Sequence, residues 1–128
     1  MIERFEQPAG LFPIAGVSHA TAATGRLVVI SGQLPVDAGG AIVGDDDARA
    51  QARQVFANIA TVLRATGATP ADLIRLGYFL TDLADLAAVR SARDEFLGGA
   101  APPASTLVQV AGLIAPGARM EIDALAVV

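Results

Sequence analysis

Residues 45–80 read DDDARAQARQVFANIATVLRATGATPADLIRLGYFL, and this stretch decides the fold. Asp45, Asp46 and Asp47 suit a helix start, because carboxylates accept from its unpaired N–H groups and oppose its positive end. Ala48, Ala52, Val55, Phe56, Ile59, Val62 and Leu63 then recur at spacings of three and four, which makes one apolar stripe. Gly67 stands where a left-handed C-terminal cap belongs, so the spacing predicts a helix over about 46–66. Pro70 and Asp72 mark a connection, and Leu73–Leu80, carrying Tyr78 and Phe79, reads as a strand. A helix feeding straight into a strand implies mixed α/β architecture.

Downstream the alternation continues. Thr81, Asp82 and Asp85 open a second helix, with Leu86, Val89, Arg93 and Phe96 on one side and Gly98-Gly99 at its end. Pro102 and Pro103 force an extended entry into Ser105–Val110, a β-branched strand. Pro116-Gly117 turns the chain into Arg119–Val128. There Met120, Ile122, Ala124, Ala126 and Val128 share one face, while Glu121, Asp123, Leu125 and Val127 share the other.

Upstream, Ile2–Phe5 reads as a short edge strand, and two prolines with two glycines over residues 8–16 mark a loop. Leu27-Val28-Val29-Ile30 is a continuous apolar run between Gly25 and Gly32, the pattern of a strand buried on both faces. Asp37–Gly40 is a turn, and Ala41–Val43 is expected to return as a hairpin strand. The order is therefore β-β-β-α-β-α-β-β, a single domain over 1–128. Two helices cover one face of a single mixed sheet. The opposite face needs a cover, which self-association supplies.

Composition agrees and excludes other classes. Apolar residues make up 53% of the 128, slightly above the usual range of about 45–50%, as expected of a subunit that hides surface against its own copies. Net charge is −4 and the nine basic residues are scattered, so the basic patch of a nucleic-acid binder is missing. One Tyr and no Trp leave little for base stacking. Without cysteine there is no disulfide, thiol nucleophile or zinc–thiolate site, and a lone His19 makes no metal site. The first residues lack a basic region followed by an apolar run, and no stretch approaches the roughly 18 apolar residues of a membrane span. The expectation is a cytoplasmic protein with no membrane or nucleic-acid partner.

Four stretches together resemble the Rid family, the YjgF-type reactive-intermediate deaminases. They are Ser31-Gly32-Gln33-Leu34-Pro35 leading to Gly39-Gly40; Gln51 through Asn58-Ile59 and Leu63 to Gly67; Phe79-Leu80-Thr81-Asp82-Leu83; and Pro103-Ala104-Ser105 followed by Glu121-Ile122-Asp123-Ala124. The resemblance covers about residues 15–128 in order and spacing. It implies a chorismate-mutase-like subunit, a homotrimer with clefts between neighbours, and hydrolysis of imines or enamines to ammonia and a keto acid. It implies no metal and no organic cofactor.

Imine hydrolysis needs a water set against an electrophilic carbon and a group that moves its protons. A substrate carboxylate also wants a forked cationic donor. Deaminase-type members supply that fork with an arginine directly after Pro-Ala, whereas here Pro103-Ala104 is followed by Ser105 and Thr106. Where such members carry a tyrosine before a serine, this chain has Val17 before Ser18, which makes that wall roomier and less polar. Glu121 matches the family carboxylate that positions or activates water. Read without the family, it is a strand glutamate on a solvent-facing stripe, paired with Arg119 or a neighbour.

Arg90 stands where deaminase-type members more often have a cleft asparagine. It either restores a guanidinium from another wall or pairs with Asp94 at i,i+4. Ser31 and Gly32 correspond to a cleft-lining corner where backbone approaches ligand closely. Ser105 and Thr106 offer hydroxyls to a neutral carbonyl or amide. His19 reads as a surface residue, and Asn58 as a structural hydrogen-bonder. Two functions follow: a cofactor-independent hydrolase of a C=N metabolite, weak on ordinary 2-imino acids, or a non-catalytic trimer that binds a small metabolite in the same cleft. A ribonuclease fits the acidic charge poorly.

Overall fold

A computed structural model describes all 128 residues. The strands are β1 (Ile2–Phe5), β2 (Ala20–Ala23), β3 (Leu27–Gln33), β4 (Leu73–Leu80), β5 (Ala104–Gln109) and β6 (Met120–Val127); the helices are α1 (Ala48–Ala65) and α2 (Leu86–Leu97). Asp47 is the cap that starts α1, its carboxylate accepting from the Ala50 N–H at 3.1 Å. Asp46 lies outside the helix at φ 52°, and its carboxylate meets Arg119 instead. Gly67 and Gly98 adopt left-handed backbone just past the two helices, where only glycine does so without steric cost.

A four-stranded sheet has the order β3-β6-β4-β5, with β3/β6 and β6/β4 antiparallel and β4/β5 parallel. Both helices lie on one face of it. α1 buries Ala52, Val55, Phe56, Ile59 and Leu63 completely or nearly so, and Phe56 stacks on Phe96 of α2 with ring centroids 4.9 Å apart. Met120, Ile122, Ala124 and Ala126 of β6 complete this core, as the alternation in the sequence predicts.

Three expectations need correction. β3 is not buried on both faces: Val28 and Ile30 are buried under the helices, while Leu27 and Val29 are 57% and 70% exposed. Its unbroken apolar run reflects a sheet face that nothing within this chain covers. Ala41–Val43 forms no hairpin strand, only one isolated bridge between Val36 and Ile42. The sheet is also not the sole one, since β1 and β2 pair antiparallel as a separate ladder. β2, Ala-Thr-Ala-Ala, has too little β-branched character to be read locally. Long-range bonds fix the ladder: Thr21 Oγ1 donates to the Ile74 carbonyl, and the Arg4 guanidinium donates to carbonyls of Ala71, Leu73 and Pro102.

A buried glutamine ties the start of β6 to α1. The Gln51 amide donates to the carbonyls of Gly44 and Gly117 and accepts from the Arg119 N–H at 2.8 Å. Arg119 in turn grips buried Asp85 with two hydrogen bonds, at 2.8 and 3.1 Å. Asn58 donates to the Leu34 and Val36 carbonyls, the structural role expected of it.

Candidate active site

The sequence-predicted site residues separate into two groups on opposite faces of the sheet. The first lines a cavity of about 240 Å³ on the helix side, between α2, the outer end of the sheet and the loop before Ser18. Val17, Arg90 and Ser105 all border it, together with Tyr78, Arg93 and Leu107. The register explains the selection. In the parallel pair Leu76 stands beside Ser105 and Tyr78 beside Leu107, so these four share the helix-side face. Ala104, Thr106 and Val108 point the other way.

The second group sits on the uncovered face. β3 and β6 lose register between Ile30↔Ala124 and Gln33↔Ile122, so Ser31 and Gly32 together stand against Asp123 alone. Such a bulge re-aims side chains and recurs beside active sites. Here it turns Gly32 beneath Glu121: a Cβ on Gly32 would collide with the Glu121 carboxylate. A side chain at position 32 would have to push the Glu121 carboxylate aside, so glycine keeps Glu121 in this seat through close approach rather than backbone angle. Glu121 is half-buried and no cation of its own chain reaches it, since Arg119 is taken by Asp85 and Asp46. The next carboxylate along, Asp123, does have a partner, Arg75 at 3.2 Å. Thr106 is exposed on this same face.

Arg90 is exposed at the cavity mouth and pairs with nothing. The expected i,i+4 pair with Asp94 is absent because Arg93 occupies that carboxylate, through Nε at 3.0 Å and Nη2 at 2.9 Å. Arg93 is itself nine-tenths buried. Gly16 makes this possible, for at φ 79° its missing Cβ leaves the space that the guanidinium fills. Tyr78 is buried as well, and its hydroxyl has no hydrogen-bond partner. Burial pushes that phenol far above its ordinary value; the nearby Arg93 charge opposes the shift without meeting the oxygen in hydrogen-bond geometry. His19 makes a surface contact, its Nε2 lying 3.0 Å from the Phe12 carbonyl.

Neither Arg93 nor Tyr78 was picked out from the sequence as a site residue. One signal was available for Arg93: it falls on the apolar side of α2 with Leu86, Val89 and Phe96, where an unneeded charge is costly.

Known proteins share this fold. Residues 9–128 match the model of the family described as Endoribonuclease L-PSP. Over 105 residues the chain is 36% identical to the 2-iminobutanoate/2-iminopropanoate deaminase of Salmonella typhimurium, covering 80% of each protein. It is 40% identical to Protein DfrA of Myxococcus xanthus over 103 residues, 80% of this chain and 77% of that one. Among solved structures, the Rid-family protein YyfB of Yersinia pestis, of unknown function, superposes with a TM-score of 0.92 at 37% identity over 99% of this chain and 98% of that one. RidA from an Antarctic Psychrobacter gives 0.74 at 32% identity, over 99% and 98%. Sequence, fold and relatives agree: the chain belongs to the Rid (YjgF) family.

Proposed function

We propose that the protein hydrolyses an imine, an enamine or a related C=N metabolite, without a cofactor, in a cleft completed by neighbouring copies of a homotrimer. The observation that carries this reading is the Glu121 carboxylate, seated over Gly32 on an uncovered sheet face with no cation of its own chain. An unpaired, half-buried carboxylate is free to move protons. In the reaction it takes a proton from water as the oxygen attacks the C=N carbon, and passes it to the nitrogen. Glu121 then relays the hydroxyl proton of the resulting carbinolamine to its amine nitrogen, the C–N bond breaks, and ammonia leaves a carbonyl product.

Assembly follows from the split between the two groups. Glu121, Ser31, Gly32 and Thr106 face away from the Val17–Arg90–Ser105 cavity within one chain, so a common site needs one copy's uncovered face against another's cavity edge. Exposed Leu27, Val29 and Val108 suit that burial.

Ser105 in place of the family arginine alters the substrate range. Truncating one partner of a buried charged pair costs about 2–5 kcal/mol. A 2-imino acid held in the usual pose therefore loses roughly one and a half to four decades of affinity.

The test is ammonia release from freshly generated 2-iminobutanoate and from imines without a carboxylate, for wild type and Glu121→Ala. Wild type should release ammonia faster than buffer, and the variant should lose roughly 10²–10⁴-fold. If wild type matches buffer across all donors, the hydrolase reading fails and a metabolite-binding trimer stands in its place.

A further inference from the structure

We infer that Arg93, projecting from α2, is the anion anchor of the cavity, and that the ligand it holds there is a small monocarboxylate with a short aliphatic chain. The inference rests on the reading of this cavity as the substrate cleft, and it supplies that reading's missing cationic fork from a different wall.

Three observations converge. First, the lining contains two guanidiniums, Arg90 and Arg93, and no carboxylate. In a chain of net charge −4 that is a local reversal of sign. Arg90 and Arg93 are three apart on one helix and so present their charges on the same side. Second, Arg93 is nine-tenths buried yet has spare donors. A guanidinium carries five N–H groups; Asp94 takes one from Nε and one from Nη2, and no other acceptor in the chain meets the rest. Asp94 itself is 70% exposed, so Arg93's only counter-charge lies toward solvent rather than in the cavity. Third, the guanidinium is held in place before any ligand arrives. Gly16 folds over it from one side and Asp94 fixes it from another. A fixed fork loses little entropy on binding.

The remaining walls set the rest of the ligand. Val17, Val89, Ile14 and Leu107 are apolar, which favours a short hydrocarbon chain, and about 240 Å³ admits only a small molecule. Arg90, exposed at the mouth, adds charge at longer range and assists entry rather than fixing the pose.

The chain's single tyrosine, Tyr78, borders the cavity, and there is no tryptophan. Intrinsic fluorescence thus reports occupancy of this cavity specifically. Titration of wild type with butyrate should perturb Tyr78 emission saturably, and butyramide, the neutral isostere, should bind at least about 10-fold more weakly, 1.4 kcal/mol per tenfold. Arg93→Lys, which keeps the charge but not the fork, should lose about 10-fold for butyrate, and Arg93→Met should abolish the preference for butyrate over butyramide. Should Arg93→Met not fold, Arg93→Lys decides, since it keeps the charge that Asp94 pairs and its roughly 10-fold loss reads the fork alone. The inference is overturned by any of three results: no butyrate signal with wild type; equal butyrate and butyramide affinity; or unchanged butyrate binding by folded Arg93→Met or by Arg93→Lys. Butyrate binding needs no turnover. A failed titration with intact ammonia release rejects the anchor alone, and the converse rejects only the hydrolysis.

Discussion

Replacing Tyr78 by phenylalanine should make the protein more stable. The hydroxyl is sealed from solvent and has no partner, so in folding it surrenders its bonds to water and recovers none. A buried polar group left in that condition costs about 1–3 kcal/mol. Phenylalanine keeps the ring and its packing against the core, and it forfeits only the electrostatic attraction between the phenol oxygen and Arg93. The balance is a gain of about 1 kcal/mol, or roughly 3–6 °C in Tm for a chain of this length.

The pH dependence supplies an independent check. Burial raises the folded-state value of Tyr78 above its unfolded one, with Arg93 opposing. A group raised in this way contributes its full share below the unfolded value, about 10 for a phenol, and loses about 1.4 kcal/mol per pH unit above it. Wild type should therefore fall progressively behind Tyr78→Phe as pH rises past about 10, while tyrosinate absorbance stays absent until the protein unfolds. Urea denaturation at equal subunit concentration, at neutral pH and again above pH 10, measures both effects. A loss of more than about 0.5 kcal/mol in the variant at neutral pH would show that the hydroxyl is satisfied, by Arg93 or by a neighbouring subunit, and the reasoning would fail.

Two further outcomes rest on other parts of the molecule. Gln51→Leu should cost about 1–3 kcal/mol in urea denaturation, because the half-buried Arg119 N–H loses its acceptor; Gly117 is exposed, so its carbonyl turns to water, and Gly44 still accepts from Asp47. Glu95→Gln bears on acid sensitivity. The hydrogen bond from Arg53 holds the Glu95 carboxyl below its usual range, so its contribution is present above that range and is lost as pH falls through the depressed value. The stability difference between wild type and variant should be small at neutral pH, shrink on acidification and vanish at high salt, since both partners are half-exposed; a difference that grows on acidification would contradict the pairing.

Local patterns in the amino-acid sequence determined much of this molecule. The α1 stripe from Ala52 to Leu63, its start at the aspartates and the alternation of β6 follow from helix and strand geometry acting on neighbouring residues. They set the helices, the face they bury and the position of Glu121 on the opposite face. Motif order and spacing carried the family. Other features answered only to distant parts of the chain. β2 exists because β1 and Ile74 bind it, and the exposure of Val29 depends on where the helices stop covering the sheet. The competition of Arg90 and Arg93 for Asp94 is settled by the space Gly16 leaves. Spacing along a strand says which residues share a face, but not which face meets a cavity. For that reason the division of Glu121 from Ser105, and the turning of Arg93 into the pocket, were decided by tertiary packing alone.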